Sequence, residues 1–180
     1  MRDLRTFVSI VWVVFLFYWL LAAVGAKKGS RVRGNVALRA LVIGSAVVLL
    51  RVAKTGDLAV HSPALQVIGV ILLVAGLGLA VWARIYLGRN WGMPRTEKDE
   101  PELVTSGPYR LVRHPIYSGV LLAMLGTALA TDLYWLVALV VLSGYFLYSA
   151  TVEERLMASS FPATYASYKA KTKMLIPFVL

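Results

Sequence analysis

The chain contains no cysteine, which excludes disulfides, thiolate nucleophiles and thiolate-ligated metals. It has two histidines, His61 and His114, predicted on opposite sides of a membrane, so a histidine zinc site lacks ligands. Acidic residues are scarce: nine Asp and Glu stand against 19 Lys and Arg, for a formal net charge of +10. No Gly-x-Gly-x-x-Gly follows a predicted strand, and neither Gly-x-Ser-x-Gly nor a phosphate-loop motif occurs. Rossmann, serine-hydrolase and phosphate-loop chemistries are therefore not indicated. There is no internal repeat, no low-complexity segment, and no polar stretch long enough for a soluble domain.

What the chain does have is apolar length. Of its 180 residues, 59% are hydrophobic, and the mean hydropathy is +0.72. A bilayer core about 30 Å thick needs about 20 mostly apolar residues per helical span. Five such stretches are predicted, at 7–24, 36–53, 64–83, 116–131 and 133–150. The first is too long for a signal-peptide core and reads as a retained span. The second is short, bounded by Arg39 and Arg51, whose long side chains can reach the interfaces. Gly69, Gly76 and Gly78 on the third permit close helix packing. Only Asp132 separates the last two spans in charge, so they form a tight hairpin. The expected fold is an all-α integral membrane bundle of about five helices with an amphipathic C-terminal tail in the cytosol. It forms one membrane domain over 1–180, with an N-terminal three-helix part (1–83) and a core (84–180).

The basic residues order these spans. The first loop, the third loop and the tail hold fifteen Lys and Arg; the N-terminus, second loop and fourth loop hold four. The positive-inside rule puts the fifteen in the cytoplasm, the N-terminus outside and the C-terminus inside. The expected location is a bacterial or archaeal cell membrane. Basic residues flanking apolar spans meet anionic lipid, and nucleic acid is not an expected partner.

Three polar clusters fall on the cytoplasmic side, at 82–91, 107–117 and 153–168. In the middle one, Gly107-Pro108 signals a turn and Pro115 suits the first turn of a helix. Arg113 and His114 then stand where that helix enters the membrane, at an end whose free N–H groups favour an anion. Glu153 and Glu154 follow the fifth span directly. A carboxylate there needs a cation or water, and it avoids an unfavourable helix end only if the helix continues past Thr151. Adjacent helical residues point about 100° apart. One glutamate is thus expected to act in the site and the other to pair with Arg155 or a neighbour. Taken singly, Arg113 is as readily a snorkelling anchor, and Tyr86, Trp82, Trp91, Tyr165 and Tyr168 are as readily interfacial belt residues.

Taken together, three stretches resemble the isoprenylcysteine carboxyl methyltransferase family and its membrane phospholipid methyltransferase relatives. They are Leu87-Gly88-Arg89-Asn90-Trp91, the run from Leu103 through Gly107-Pro108-Tyr109 and Arg113-His114-Pro115 to Tyr117, and Glu153-Glu154-Arg155-Leu156 with Phe161, Tyr165, Tyr168 and Ile176-Pro177. The resemblance covers more than half of the chain. It implies S-adenosylmethionine-dependent methyl transfer to a lipophilic acceptor (carboxylate, thiol or amine) at the cytoplasmic membrane face. By position, it implies that Gly107, Tyr109, His114, Pro115, Tyr117 and Glu153 or Glu154 line the cofactor site, with Leu103 and Val104 at the adenosyl end. Arg113, Glu153 and Glu154 are the expected catalytic residues, and Arg113 could hold either the cofactor carboxylate or an anionic acceptor. The rival readings are an NADPH-dependent membrane reductase with a related helical core, and a non-enzymatic membrane subunit or transporter. The span centres hold no charge to mark a transport path.

Overall fold

The computed structural model describes residues 2–23, 29–31, 58–88, 96–98 and 102–179. They form five α-helices: α1 (Arg2–Ala23), α2 (Pro63–Leu87), α3 (Pro115–Ala130), α4 (Trp135–Ser160) and α5 (Tyr165–Lys171). A 3-10 turn, Gly107–Arg110, precedes α3. Two three-residue strands, β1 (Gly29–Arg31) and β2 (Thr96–Lys98), pair antiparallel and leave the all-α class unchanged. Four of the five predicted spans are these first four helices, and the second, 36–53, lies outside the described residues. Among the described residues three helices are long and apolar enough to cross a membrane, and α3 is a shorter apolar one. At 26 residues, α4 is about 39 Å long. It therefore exceeds the apolar layer, and 151–160 project beyond the span proper.

The packing is inside-out, as lipid requires. Large apolar side chains such as Val13, Val14, Phe17, Leu20, Val67, Ile71, Val74 and Val140 are exposed, whereas Ala80, Ala83, Ala123, Ala128 and Ala130 are buried. With lipid as apolar as leucine, helices associate through close backbone approach at small residues. Gly69 and Gly76 of α2, two turns apart, meet Gly126 and Gly119 of α3, also two turns apart. A Cβ on Gly69 would stand 2.4 Å from the Ala130 backbone nitrogen, and one on Gly76 2.5 Å from that of Ala123. Gly78, expected in the same role, has no described residue within 4 Å of its Cβ position. Val8 and Phe15 of α1 complete this core against Leu73 and Leu77. The Trp12 indole N–H donates to Thr127 Oγ1 at 3.0 Å.

Contacts at the helix ends set the topology. At one end Arg5 Nη2 donates to Asp132 Oδ2 at 2.9 Å. Val60 N donates to Thr131 O, and Leu133 N to Leu58 O, both at 3.0 Å. At the other end Arg84 Nη2 donates to Ala22 O at 2.5 Å. The start of α1, the approach to α2 and the α3–α4 turn thus share one end. α1 and α2 run parallel, the relation that alternating basic loops expect of a first and third span. The strand pairing likewise joins the first loop to the third.

Candidate active site

The site is built at the start of α3. Gly107 takes a φ of +58°, open to glycine, and lies against the Tyr86 ring, which a Cβ there would meet at 2.5 Å. The turn buries Pro108 and Tyr109, and Pro115 begins α3 with its preset φ. The segment 172–175 straps this start in place. Arg113 N donates to Lys173 O at 2.8 Å and His114 N to Met174 O at 3.1 Å. Ser118 Oγ donates to Leu175 O at 2.5 Å. Residues 57 to 60 positions apart are thereby held as neighbours.

α4 brings the carboxylates. Because the helix runs on to Ser160, neither glutamate sits at its C-terminus. Glu154 is buried, its side chain only 5% exposed, and takes hydrogen bonds from Arg113 Nε at 2.6 Å and Lys169 Nζ at 2.8 Å. Its partners are therefore Arg113 and Lys169 and not Arg155, which is exposed. Arg113 also donates through Nη1 to the carbonyls of Thr172 and Lys169. Glu153 points differently: its side chain is 26% exposed, and it accepts from the Tyr117 hydroxyl at 2.5 Å. His114 lies between the two, with Nδ1 at 3.6 Å from Glu153 Oε2 and Nε2 at 3.6 Å from Glu154 Oε1. Both distances are too long for a hydrogen bond, and the buried His114 Nε2 has no hydrogen-bond partner among the described residues.

Glu154 stands beyond the apolar stretch of α4, in its projecting part. Burial pulls its pKa upward, but His114, Lys169 and Arg113 outweigh that pull and hold it at about 2. The tyrosines move the other way. Burial, reinforced by Tyr168 and Glu153, raises Tyr109, and burial lifts Tyr168 to about 12. Both are neutral at pH 7, and the Tyr168 hydroxyl donates to Tyr109 O at 2.8 Å. The His114 ring stacks on Tyr117 at 5.4 Å, and Tyr117 on Phe146 at 4.3 Å. This stack carries the polar cluster down into the apolar region between α3 and α4. Beside the cluster opens a cleft of about 410 Å³ lined by Thr151, Glu154, Arg155, Pro162, Tyr165 and Lys169, among others.

Of the residues singled out in the sequence, Arg113, His114, Tyr117, Glu153 and Glu154 converge. Pro115 positions them, and Gly107 and Tyr109 form the adjoining turn. Leu103 and Val104, half-buried upstream of that turn, are not among the converging groups. Arg89, Asn90 and Trp91 lie outside the described residues. Sequence reasoning missed Lys169, which looks like any other lysine of a solvated tail. A faint signal exists: Lys169 falls four residues after Tyr165, the spacing that puts both on one helical face.

Fold and site define a membrane helical bundle with a cationic and carboxylate cluster at one end of its last helices. The family model described as Phospholipid methyltransferase matches residues 65–164, more than half of the chain, and the chain belongs to that family. The cobalt-zinc-cadmium resistance protein CzcN of Cupriavidus metallidurans is 34% identical over 119 residues, 64% of this chain and 50% of that protein. Methanethiol S-methyltransferase 2 of Bradyrhizobium diazoefficiens is 39% identical over 69 residues, 38% of this chain and 26% of that enzyme. The structure of the eukaryotic intramembrane Ras methyltransferase ICMT (isoprenylcysteine carboxyl methyltransferase) superposes with a TM-score of 0.60 at 24% identity. It covers 82% of this chain and 55% of that one. At that identity the likeness shows the fold. The chain spans about half the length of the resistance protein and of the solved structure.

Proposed function

We propose that this protein transfers a methyl group from S-adenosylmethionine to a lipophilic acceptor at the cytoplasmic face of a bacterial or archaeal cell membrane. One observation carries the reading. Arg113, His114, Glu153, Glu154 and Lys169, spread over 57 positions of sequence, gather at one end of an apolar bundle. Family membership supports the reaction class. The basic loops support the cytoplasmic face and an external N-terminus.

The residues present fit such a cofactor. A partly exposed carboxylate, Glu153, lies 3.6 Å from His114 Nδ1. The other ring nitrogen, Nε2, is buried with no hydrogen-bond partner among the described residues, and Lys169 and Arg155 line the adjoining cleft. Glu153 and His114 would face the cationic end of the cofactor, and the cleft cations its carboxylate. When bound, the cofactor supplies an electrophilic methyl group on a sulfonium. Arg113 is committed through Nε and Nη1 to Glu154 and to tail carbonyls. Its role is to position α3, α4 and the tail around the ligand. The stack of His114, Tyr117 and Phe146 would form a dry wall along which a lipophilic acceptor is oriented. For a thiol or amine acceptor, His114 or Glu153 is placed to take the proton; a carboxylate acceptor needs no base.

The test is binding and labelling. Purified protein in detergent should be stabilised thermally by S-adenosylhomocysteine and not by NADPH. With methyl-labelled cofactor it should label a fraction of a membrane lipid extract. Stabilisation by NADPH alone would overturn the proposal in favour of a reductase.

A further inference from the structure

We infer that the strap following α5 is a docking surface for anionic phospholipid, so that the membrane surface itself braces the site. The inference rests on membrane integration and on the packing of the tail, independently of methyl transfer.

The strap has two faces. Inward, Thr172 and Leu175 are buried, and their carbonyls, with those of Lys173 and Met174, hold Arg113, His114 and Ser118. Leu175 packs with Tyr117, Phe146 and Ala150. Outward, Lys173 and, at the end of α5, Lys171 are exposed, and just past the strap Ile176, Phe178 and Val179 are 52%, 90% and 73% exposed. The bridge between Val112 and Lys173 sets Arg110 and the exposed Leu111 beside them. Basic side chains interleaved with exposed apolar ones suit a layer that is anionic at the headgroups and apolar just beneath.

The level in the membrane agrees. The strap pairs with the residues immediately before Pro115, where the apolar run of α3 begins, and packs against Ala150, where that of α4 ends. It therefore lies at the boundary of the apolar layer. There Lys171, Lys173 and Arg110 meet lipid phosphates while Ile176, Phe178 and Val179 enter the acyl region. A lysine near an anionic surface contributes about 1 kcal/mol, or about fivefold in partition. Removing both Lys171 and Lys173 should weaken seating about 25-fold.

The absence of cysteine makes the test direct. A single Phe178→Cys substitution, labelled with bimane, is placed in nanodiscs of phosphatidylcholine alone or with a third of the lipid replaced by phosphatidylglycerol. The expected result is a blue shift of emission with phosphatidylglycerol. High salt should diminish it, and Lys171→Gln with Lys173→Gln should abolish it. Equal emission in both compositions, or an undiminished shift in the double variant, overturns the inference. No cofactor is needed for this readout. A lipid-dependent shift in a protein that binds no S-adenosylhomocysteine would thus refute the methyltransferase reading and leave the docking surface standing.

Discussion

Arg113 and Glu154, 41 residues apart in sequence, meet through a 2.6 Å hydrogen bond from Nε to Oε1, which ties the start of α3 to the projecting end of α4. Both side chains are less than a tenth exposed. Breaking such a pair from one side costs more than the pair contributes, because a buried charge is left behind. We expect Arg113→Ala to destabilise the protein by about 3 kcal/mol, with Lys169 and His114 as the remaining partners of Glu154. Thermal unfolding in detergent measures this. An unchanged midpoint would mean that water compensates Glu154. Arg113→Lys should restore little, since an ammonium cannot reproduce the guanidinium fork toward both the carboxylate and the Thr172 carbonyl.

The two glutamates should separate by phenotype. Glu154→Gln removes the carboxylate shared by Arg113 and Lys169 and should lower the unfolding midpoint. Glu153→Gln should leave the midpoint nearly unchanged while weakening S-adenosylhomocysteine binding at least tenfold, about 1.4 kcal/mol. Calorimetric titration of both variants checks this. Full affinity in Glu153→Gln would move the ligand-facing role elsewhere.

Acid should act through Glu154. Its folded pKa of about 2 lies below the unfolded value of about 4.3. The stability it contributes is present above the unfolded value and lost as pH falls toward the folded one. Unfolding midpoints should therefore hold between pH 5 and neutrality and drop below about pH 4. Glu154→Gln should reduce that drop, and an identical acid profile in the variant would remove Glu154 as its source.

The glycines of α2 make a contrast. Gly76→Ala places a methyl 2.5 Å from the Ala123 backbone and should cost about 1–3 kcal/mol through overpacking. Gly78→Ala, with no described residue within 4 Å, should be neutral or stabilising by up to about 1 kcal/mol. Equal effects of the two substitutions, measured by thermal unfolding, would contradict the packing of α2 on α3.

Much of this arrangement is legible in the chain before folding. Apolar runs announce α1, α2, α3 and α4, and Pro115 marks the start of α3. The distribution of lysine and arginine pairs the loops that the ends of the bundle bring together. The cluster was legible as three separate polar stretches, but not its internal wiring. Arg155 beside Glu154 looked as good a partner as any, and helix geometry turned it outward. Lys169 carried no mark among the tail lysines. Gly78 resembled Gly69 and Gly76, but it falls on another face of α2.

The amino-acid sequence by itself determined that this chain lives in a membrane, in what order its spans run, and which loops share a side. Hydrophobic length and charge asymmetry are properties of segments, and the bilayer reads segments. Only the tertiary structure decided which glutamate lies against the guanidinium and which remains half-open beside His114. Neighbouring residues of a helix diverge by about 100°. Which direction is the interior depends on where α3 and the tail come to rest.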